Sequence, residues 1–359
     1  MLILGLQQYS LFSRRVYAEP VELPACRMIG QESTTIGGRI IVVGDIHGSN
    51  AGLREILAAS GVIDSVESCT WSMSAKNRQT TLVQMGDLVD RGAEALEAWD
   101  CLDELYASIP SDVKSNGSSL VRIIGNHEVW WLENKFHMRH TKADTQERVL
   151  DIVRRMKNQI NLGALVGAHV VEVNSVPLLF VHAGYRRSYL DSSEIKNAHG
   201  LAGKFNSVLG DVIRSCSNRD WKKCPFDLYE GELFQAGPER GGSHLGGPLW
   251  TDFKVLEEDD IKNGRSSSPF PFIQIVGHSA AYCDDGDDSN GFPDMGHCPE
   301  LIRATVDVEA VCVDGGMTYG TRSFLEIVKD SGALLAHEKE GLSDAWKVRK
   351  LNSELVCSR

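Results

Sequence analysis

Arg39-Ile-Ile-Val-Val-Gly-Asp-Ile-His-Gly48 is the stretch from which the fold is read. Its apolar run predicts a buried strand, glycine ends the strand, and Asp45 and His47 are left on the following loop. Asn50 to Ser60 then sets Leu53, Ile56, Leu57 and Ala58 at helical spacing, so strand, loop and helix succeed one another as in a βαβ unit. The design recurs. Thr80 to Met85 runs into Gly86-Asp-Leu-Val-Asp-Arg-Gly92, and Leu120 to Ile124 into Gly125-Asn-His-Glu128, each followed by helix-compatible sequence. Pro177 to Val181 leads to His182-Ala-Gly184, and Phe272 to Val276 leads to Gly277-His-Ser279. In α/β sheets ligands bind where the carboxyl ends of strands converge, so Asp, His and Asn at these ends can share one pocket although they are far apart in the chain.

Further out, Ala304 to Val313 alternates Thr305, Asp307 and Glu309 against Val306, Val308 and Ala310, which predicts a half-exposed strand near a sheet edge. Thr145 to Asn161 predicts a helix. Glu67 to Gln79 reads as an insertion, Ser111 to Ser119 as a polar loop, and Gly237 to Gly247 and Asp284 to Gly296 as surface loops. The charged residues beyond about Leu335 read as a tail.

Composition sets limits on partners and compartment. With 359 residues, 42% hydrophobic and 24% charged, the chain is in the range of folded globular proteins. Lys+Arg 37 against Asp+Glu 49 gives −12, which disfavours nucleic acid and anionic membrane surfaces as partners. No apolar run approaches the roughly 18 residues of a membrane span. Nine cysteines, odd in number and without tight pairing, favour reduced thiols and hence an intracellular setting, cytoplasmic before organellar. Arg14 and Arg15 with no acid before Glu19 fit either a targeting segment or an untargeted arm. Cys216 with Cys224, and Cys283 with His297 and Cys298, could each bind zinc or form a disulfide. No cysteine has arginine six positions later, which excludes a Cys-x₅-Arg phosphatase loop.

A two-metal hydrolytic site needs hard oxygen and imidazole ligands, with a carboxylate bridging cations about 3.5–4 Å apart. Asp45, His47, Asp87, Asn126, His182 and His278 supply that donor set. A mixed carboxylate, amide and imidazole shell suits Mn, Fe or Zn better than Mg alone.

The motifs Gly44-Asp-Ile-His-Gly48, Gly86-Asp-Leu-Val-Asp-Arg-Gly92 and Gly125-Asn-His-Glu128, in this order, resemble the phosphoprotein phosphatases of the calcineurin-like metallophosphoesterases. Gly246-Gly-Pro-Leu-Trp-Thr251 resembles an element of the bacterial-like branch, above all the Shewanella-like phosphatases. The resemblance implies an α/β fold, a β-sandwich flanked by helices with metals at the carboxyl ends of strands. It implies an N-terminal extension over residues 1–36, a catalytic domain over 37–335 and a charged tail over 336–359. Asp45, His47 and Asp87 would hold one metal, and Asp87, Asn126, His182 and His278 the other, with Asp87 as bridge and a metal-activated water for in-line attack. His127 would be the general acid, oriented by Asp90, while Arg91 and Asn126 would contact the phosphate.

Two departures stand out. His182-Ala-Gly184 replaces a common His-Gly-Gly, and Asp252 stands where related proteins often carry a basic residue able to reach phosphate. Arg186, Arg187 and Arg240 are candidates to replace that cation. The implied substrate is a phosphorylated protein or peptide, on Ser/Thr or Tyr. A nucleotide hydrolase resembling diadenosine tetraphosphatase is the alternative enzyme, and a non-catalytic scaffold the alternative of another class. Acidic runs at Glu257 to Asp260 and Asp284 to Asp288 favour basic sequence around the phosphosite.

Overall fold

Along β1 (Arg39–Val43) successive side chains alternate between faces, yet Ile40, Ile41, Val42 and Val43 are all buried, which requires cover on both sides of the strand. The computed structural model describes residues 38–352 except 112–118, 137, 141, 218–223, 227–232, 237–245, 263–269, 281–300, 306–308 and 340–345. In chain order it holds β1, α1 (Asn50–Ala59), α2 (Met73–Asn77), β2 (Thr80–Gln84), α3 (Ala95–Ser108), β3 (Ser119–Ile123), α4 (Asn126–Leu132), α5 (Gln146–Asn161), β4 (Leu165–Val166), β5 (Ala168–Val173) and β6 (Val176–Val181). There follow α6 (Arg187–Ser192), α7 (Ala198–Ser217), α8 (Phe253–Lys262), β7 (Ile273–Val276), β8 (Arg303–Ala304), β9 (Ala310–Cys312), β10 (Arg322–Val328), β11 (Ala333–Lys339) and β12 (Lys347–Asn352).

Two sheets form, a seven-stranded one in the order β12-β11-β10-β1-β2-β3-β4 and a five-stranded one in the order β5-β6-β7-β9-β8. Ile40, Val42, Val83 and Ile123 of the first sheet share one apolar layer with Leu178, Phe180, Ile273, Ile275 and Val311 of the second. The alternate residues, among them Ile41, Val43, Leu82, Leu179 and Val181, join the helix-facing core with Leu53, Leu102 and Phe205. The fold is thus a mixed α/β sandwich flanked by helices. β1, β2 and β3 are parallel, as are β6, β7 and β9, so each set delivers its carboxyl ends to one edge of its sheet.

Several local expectations change. The run from Ala304 to Val313 is not one strand. Thr305 Oγ1 accepts hydrogen bonds from the N–H groups of Glu309 (3.0 Å) and Ala310 (3.2 Å), and the chain returns on itself so that β8 pairs antiparallel with β9. Period-two alternation could not reveal that turn, and Glu309 is buried instead of exposed. The tail boundary at 335/336 falls inside β11, and β12 adds a further strand. Charge there is compatible with the sheet because Glu338 accepts from Leu301 N–H (3.1 Å), Ile302 N–H (2.9 Å) and Arg349 (3.0 Å). Within the predicted insertion, Ser72 caps α2 by accepting from Ala75 N–H.

The cysteines also differ from expectation. Cys69 pairs with Cys101 of α3 (Cα–Cα 5.2 Å) and Cys216 of α7 with Cys224 (Cα–Cα 4.8 Å). Those separations are ordinary for disulfides, whereas sequence spacing does not encode which cysteines the fold brings together. The inference from reduced thiols to compartment therefore loses its basis. Cys283, His297 and Cys298 lie outside the described residues, as do the whole 1–36 segment, 237–245 with Arg240, and the acidic run at 284–288. Among the described residues, no helix is long and apolar enough to cross a membrane.

Candidate metal centre

The parallel strands explain why the motif residues meet. The chain after β1 carries Asp45 and His47, after β2 Asp87, Asp90 and Arg91, and after β3 Asn126 and His127 at the start of α4; β6 and β7 lead to His182 and His278. The connecting loops are tightly wound. His47, Asp87, Asp90, Arg91 and His278 all have positive φ, from +47° to +70°, a region costly for residues with a Cβ and characteristic of sites whose geometry the surroundings impose. Two glycines are required by contact: a Cβ on Gly125 would collide with the Asp87 carboxylate, and one on Gly277 with that of Asp45.

Asp87 is the common element. Its Oδ2 lies 3.5 Å from His182 Nε2, 3.6 Å from His47 Nε2 and 3.7 Å from His127 Nε2, while Oδ1 accepts from His127 N–H at 3.0 Å. Two groups of donor atoms could each hold a cation, His47-Asp87-His127 and Asp87-His182-His278, and Asp87 belongs to both. Asp45 Oδ1 accepts from His278 N–H (3.0 Å); its Oδ2 is buried, accepts no hydrogen bond among the described residues, and lies 3.9 Å from His47 Nε2.

The donor chemistry fits cations. Met85 O and Val89 O can only accept, so their contacts with His182 Nδ1 (2.8 Å) and His47 Nδ1 (2.9 Å) place the ring protons there. In the neutral ring, His182 Nε2 then turns a lone pair toward Asp87 Oδ2 and toward Asn126 Oδ1 (2.9 Å), which is also 3.1 Å from His278 Nδ1. Acceptors facing acceptors at these distances repel unless positive charge lies among them. The buried carboxyls and imidazoles also shift one another's ionisation. Burial, followed by the charges of Asp314 and Asp87, pushes the Asp45 carboxyl well above the usual range. Burial works to raise Asp87 as well, but His182, His127 and His47 outweigh it and hold that carboxyl well below its ordinary value. Burial and then the charge of His127 push His47 well down, whereas for His182 the Asp87 carboxylate outweighs burial and raises the imidazole.

His127, in edge contact with His47 (4.7 Å between centroids), is held by a carboxylate and not by a main-chain carbonyl. Its Nδ1 contacts Asp90 Oδ2 at 2.6 Å, and the second Asp90 oxygen accepts from Trp131 Nε1 at 2.7 Å. Arg91 donates from one terminal nitrogen to Tyr319 Oη (2.8 Å), and its buried Nε has no hydrogen-bond partner among the described residues. Trp130 contacts His127 (4.9 Å between centroids), Trp250 contacts Trp130 (5.1 Å), and His278 lies 6.0 Å from Trp250, an aromatic wall around one side of the centre. The Gly246–Thr251 element docks because Pro248 O accepts from Ala183 N–H (2.7 Å) and Gly184 N–H (3.3 Å), backbone contacts that alanine in place of the expected first glycine leaves intact.

Of the three expected clamp arginines, Arg187 is committed elsewhere. It pairs with Glu309 at 2.7 Å and lies 4.1 Å over the Phe270 ring, because the turn before β9 buries a carboxylate that needs a cation. Arg186 is buried at the start of α6. Two residues take roles that the sequence reading did not assign. Glu128 accepts four backbone N–H groups, from Asp87 and Gly125 at 2.8 Å on one oxygen and from Leu88 (2.8 Å) and Val89 (3.2 Å) on the other. Burial and then Asp87 raise its carboxyl. Asp314, buried just past β9 and raised chiefly by burial, adds a carboxylate beside Asp45; the repeated apolar-run-then-polar pattern in Val311-Cys-Val-Asp-Gly-Gly316 was the available signal.

Residues 38–311 match the sequence profile of the calcineurin-like phosphoesterases, and the chain belongs to that family. It is 32% identical over 98 residues to Shewanella-like protein phosphatase 2 of Arabidopsis thaliana, covering 27% of this chain and 22% of that one. It is 33% identical over 89 residues to an uncharacterised protein of Schizosaccharomyces pombe, covering 25% of this chain and 24% of the other. The matches thus span about a quarter of the length of these curated relatives. The fold is similar to that of a cold-active protein tyrosine phosphatase from a psychrophilic Shewanella (TM-score 0.53, 17% identity, 88% of this chain and 80% of that one). A second structure of a cold-active protein tyrosine phosphatase gives TM-score 0.54 at 16% identity, over 88% and 79% of the two chains.

Proposed function

We propose that this chain is a dinuclear-metal phosphatase that removes phosphoryl groups from proteins. The observation that carries the reading is Asp87 Oδ2 facing the imidazoles of His47, His127 and His182 at 3.5–3.7 Å while Asp90 holds the far side of His127. Asp45, His47 and Asp87 would hold one divalent cation and Asp87, Asn126, His182 and His278 the other. Such a pair of cations lowers the pKa of water and stabilises charge on attacking and leaving oxygens. His127, with Nδ1 fixed by Asp90, would keep a proton at Nε2, beside the centre, where a departing alkoxide needs it. Arg91, braced by Tyr319, would bind phosphate oxygens with the donors it has left. Arg186 remains a candidate for a second clamp.

Protein substrates are favoured over dinucleotides because the net charge of −12 opposes a polyphosphate, and Arg91 can serve one phosphoryl group. The test is turnover of a phosphopeptide panel, covering Ser, Thr and Tyr, beside diadenosine tetraphosphate, in wild type and Asp87→Asn, with metal analysis. Two bound metals, loss of both metals and activity in the variant, and a higher kcat/KM on peptides are expected. Activity that survives chelation would overturn the metal reading, and a clearly higher kcat/KM on the dinucleotide would overturn the substrate reading.

A further inference from the structure

The three imidazoles that converge on Asp87 and Asn126 do not point the same way. His47 and His182 are each pinned at Nδ1 by a backbone carbonyl, of Val89 and Met85, and turn Nε2 to the centre. His278 is reversed. Its Nδ1 is the atom near Asn126 Oδ1 (3.1 Å), so Nε2 points outward, and 3.7 Å beyond it lies Oδ1 of Asp252. A histidine that ligates a metal almost always donates its other ring N–H to a carboxylate or carbonyl, which fixes the tautomer and the ring plane. His47 and His182 have that partner in the main chain.

Asp252 is built for the same task. Its backbone carbonyl accepts from Val255 N–H (2.9 Å) and Leu256 N–H (3.2 Å) at the start of α8, so the residue sits on a fixed turn. Ser279, the neighbour of His278, donates its hydroxyl to the same Oδ1 (3.4 Å) and accepts from Phe253 N–H (2.8 Å), tying the two loops together on either side of the contact. At 3.7 Å the two atoms are within ion-pair distance and about 0.5 Å beyond the upper end of an N–H···O bond.

We infer that Asp252 is a positioning residue: it accepts the Nε2–H of His278 and thereby holds Nδ1 as the metal-facing atom. The residue at this position therefore serves the metal shell from behind and does not grip phosphate as a basic residue would. The inference rests on the dinuclear reading above.

Calorimetric titration of the metal-depleted full chain with Mn²⁺ tests it, with thermal melting as a control for folding. Wild type should bind two ions. Asp252→Ala should keep the fold and weaken one site about 10- to 100-fold, leaving the other within a few-fold. Asp252→Asn, which keeps the accepting oxygen, should restore the weakened site to within a few-fold of wild type. Failure of wild type to bind metal would remove both the dinuclear reading and this inference. Two sites in wild type with unchanged affinities in Asp252→Ala, or no recovery in Asp252→Asn, would leave the dinuclear reading standing and overturn the role of Asp252.

Discussion

Glu128→Gln keeps the shape of the side chain, removes its charge beside Asp87 and His182, and leaves one oxygen where two accepted hydrogen bonds. Wild-type Glu128 takes two backbone N–H groups on each oxygen, Asp87 and Gly125 on one and Leu88 and Val89 on the other. Whichever way glutamine is turned, two of these donors face another donor. A buried donor left unsatisfied costs about 1–3 kcal/mol, so the variant should lose about 2–6 kcal/mol. That is a large part of the roughly 5–15 kcal/mol that holds a domain folded. Because the donors belong to the loop carrying Asp87 and to the glycine preceding Asn126, metal affinity should fall as well. Urea unfolding of wild type and variant under identical metal conditions measures the effect, read as a lower midpoint at unchanged slope. A loss below about 1 kcal/mol would refute the view that Glu128 organises these loops by accepting all four N–H groups.

Three further outcomes are expected. His127→Asn should slow turnover of phosphoserine peptides by about 10²–10⁴-fold but affect p-nitrophenyl phosphate much less, because only a basic leaving oxygen needs the proton; equal losses would show that His127 only positions the site. Tyr319→Phe removes the hydrogen bond that braces Arg91, and at about 0.5–1.5 kcal/mol for that bond should raise KM by about 2- to 13-fold with kcat less affected; unchanged KM would mean that Arg91 needs no support from Tyr319. The Glu326 carboxyl is held below its ordinary 4.5, first by the hydrogen bond with His337 and then, against burial, by Arg39 and the charges of His337 and Arg78. A depressed acid contributes stability that is present above 4.5 and lost as pH falls through the lowered value, so Glu326→Gln should be less stable than wild type near pH 7, with the gap narrowing below pH 4.5. A gap constant across that range in chemical denaturation would contradict the assignment.

The sequence by itself determined the strands that carry the chemistry and most of the polar residues that meet at their ends. An apolar run closed by glycine or by a polar residue has few local alternatives, so β1, β2, β3, β6 and β7 and the donors Asp45, His47, Asp87, Asn126, His182 and His278 were legible without coordinates. Tertiary structure decided whatever depends on which segments become neighbours. The strand ends are shared between two stacked sheets, Arg187 is committed to Glu309, Cys69 meets Cys101, and among the described residues past Leu335 Ala336–Lys339 and Lys347–Asn352 lie in strands. Local pattern records burial and turn preference, while pairing of charges, thiols and edge strands is a free-energy choice among distant partners that only the folded chain resolves. Glu128 and Asp252 show the division most clearly. Sequence marks Glu128 only as the end of a motif and Asp252 only as a missing cation, and only packing turns one against four backbone N–H groups and sets the other behind the ring of His278.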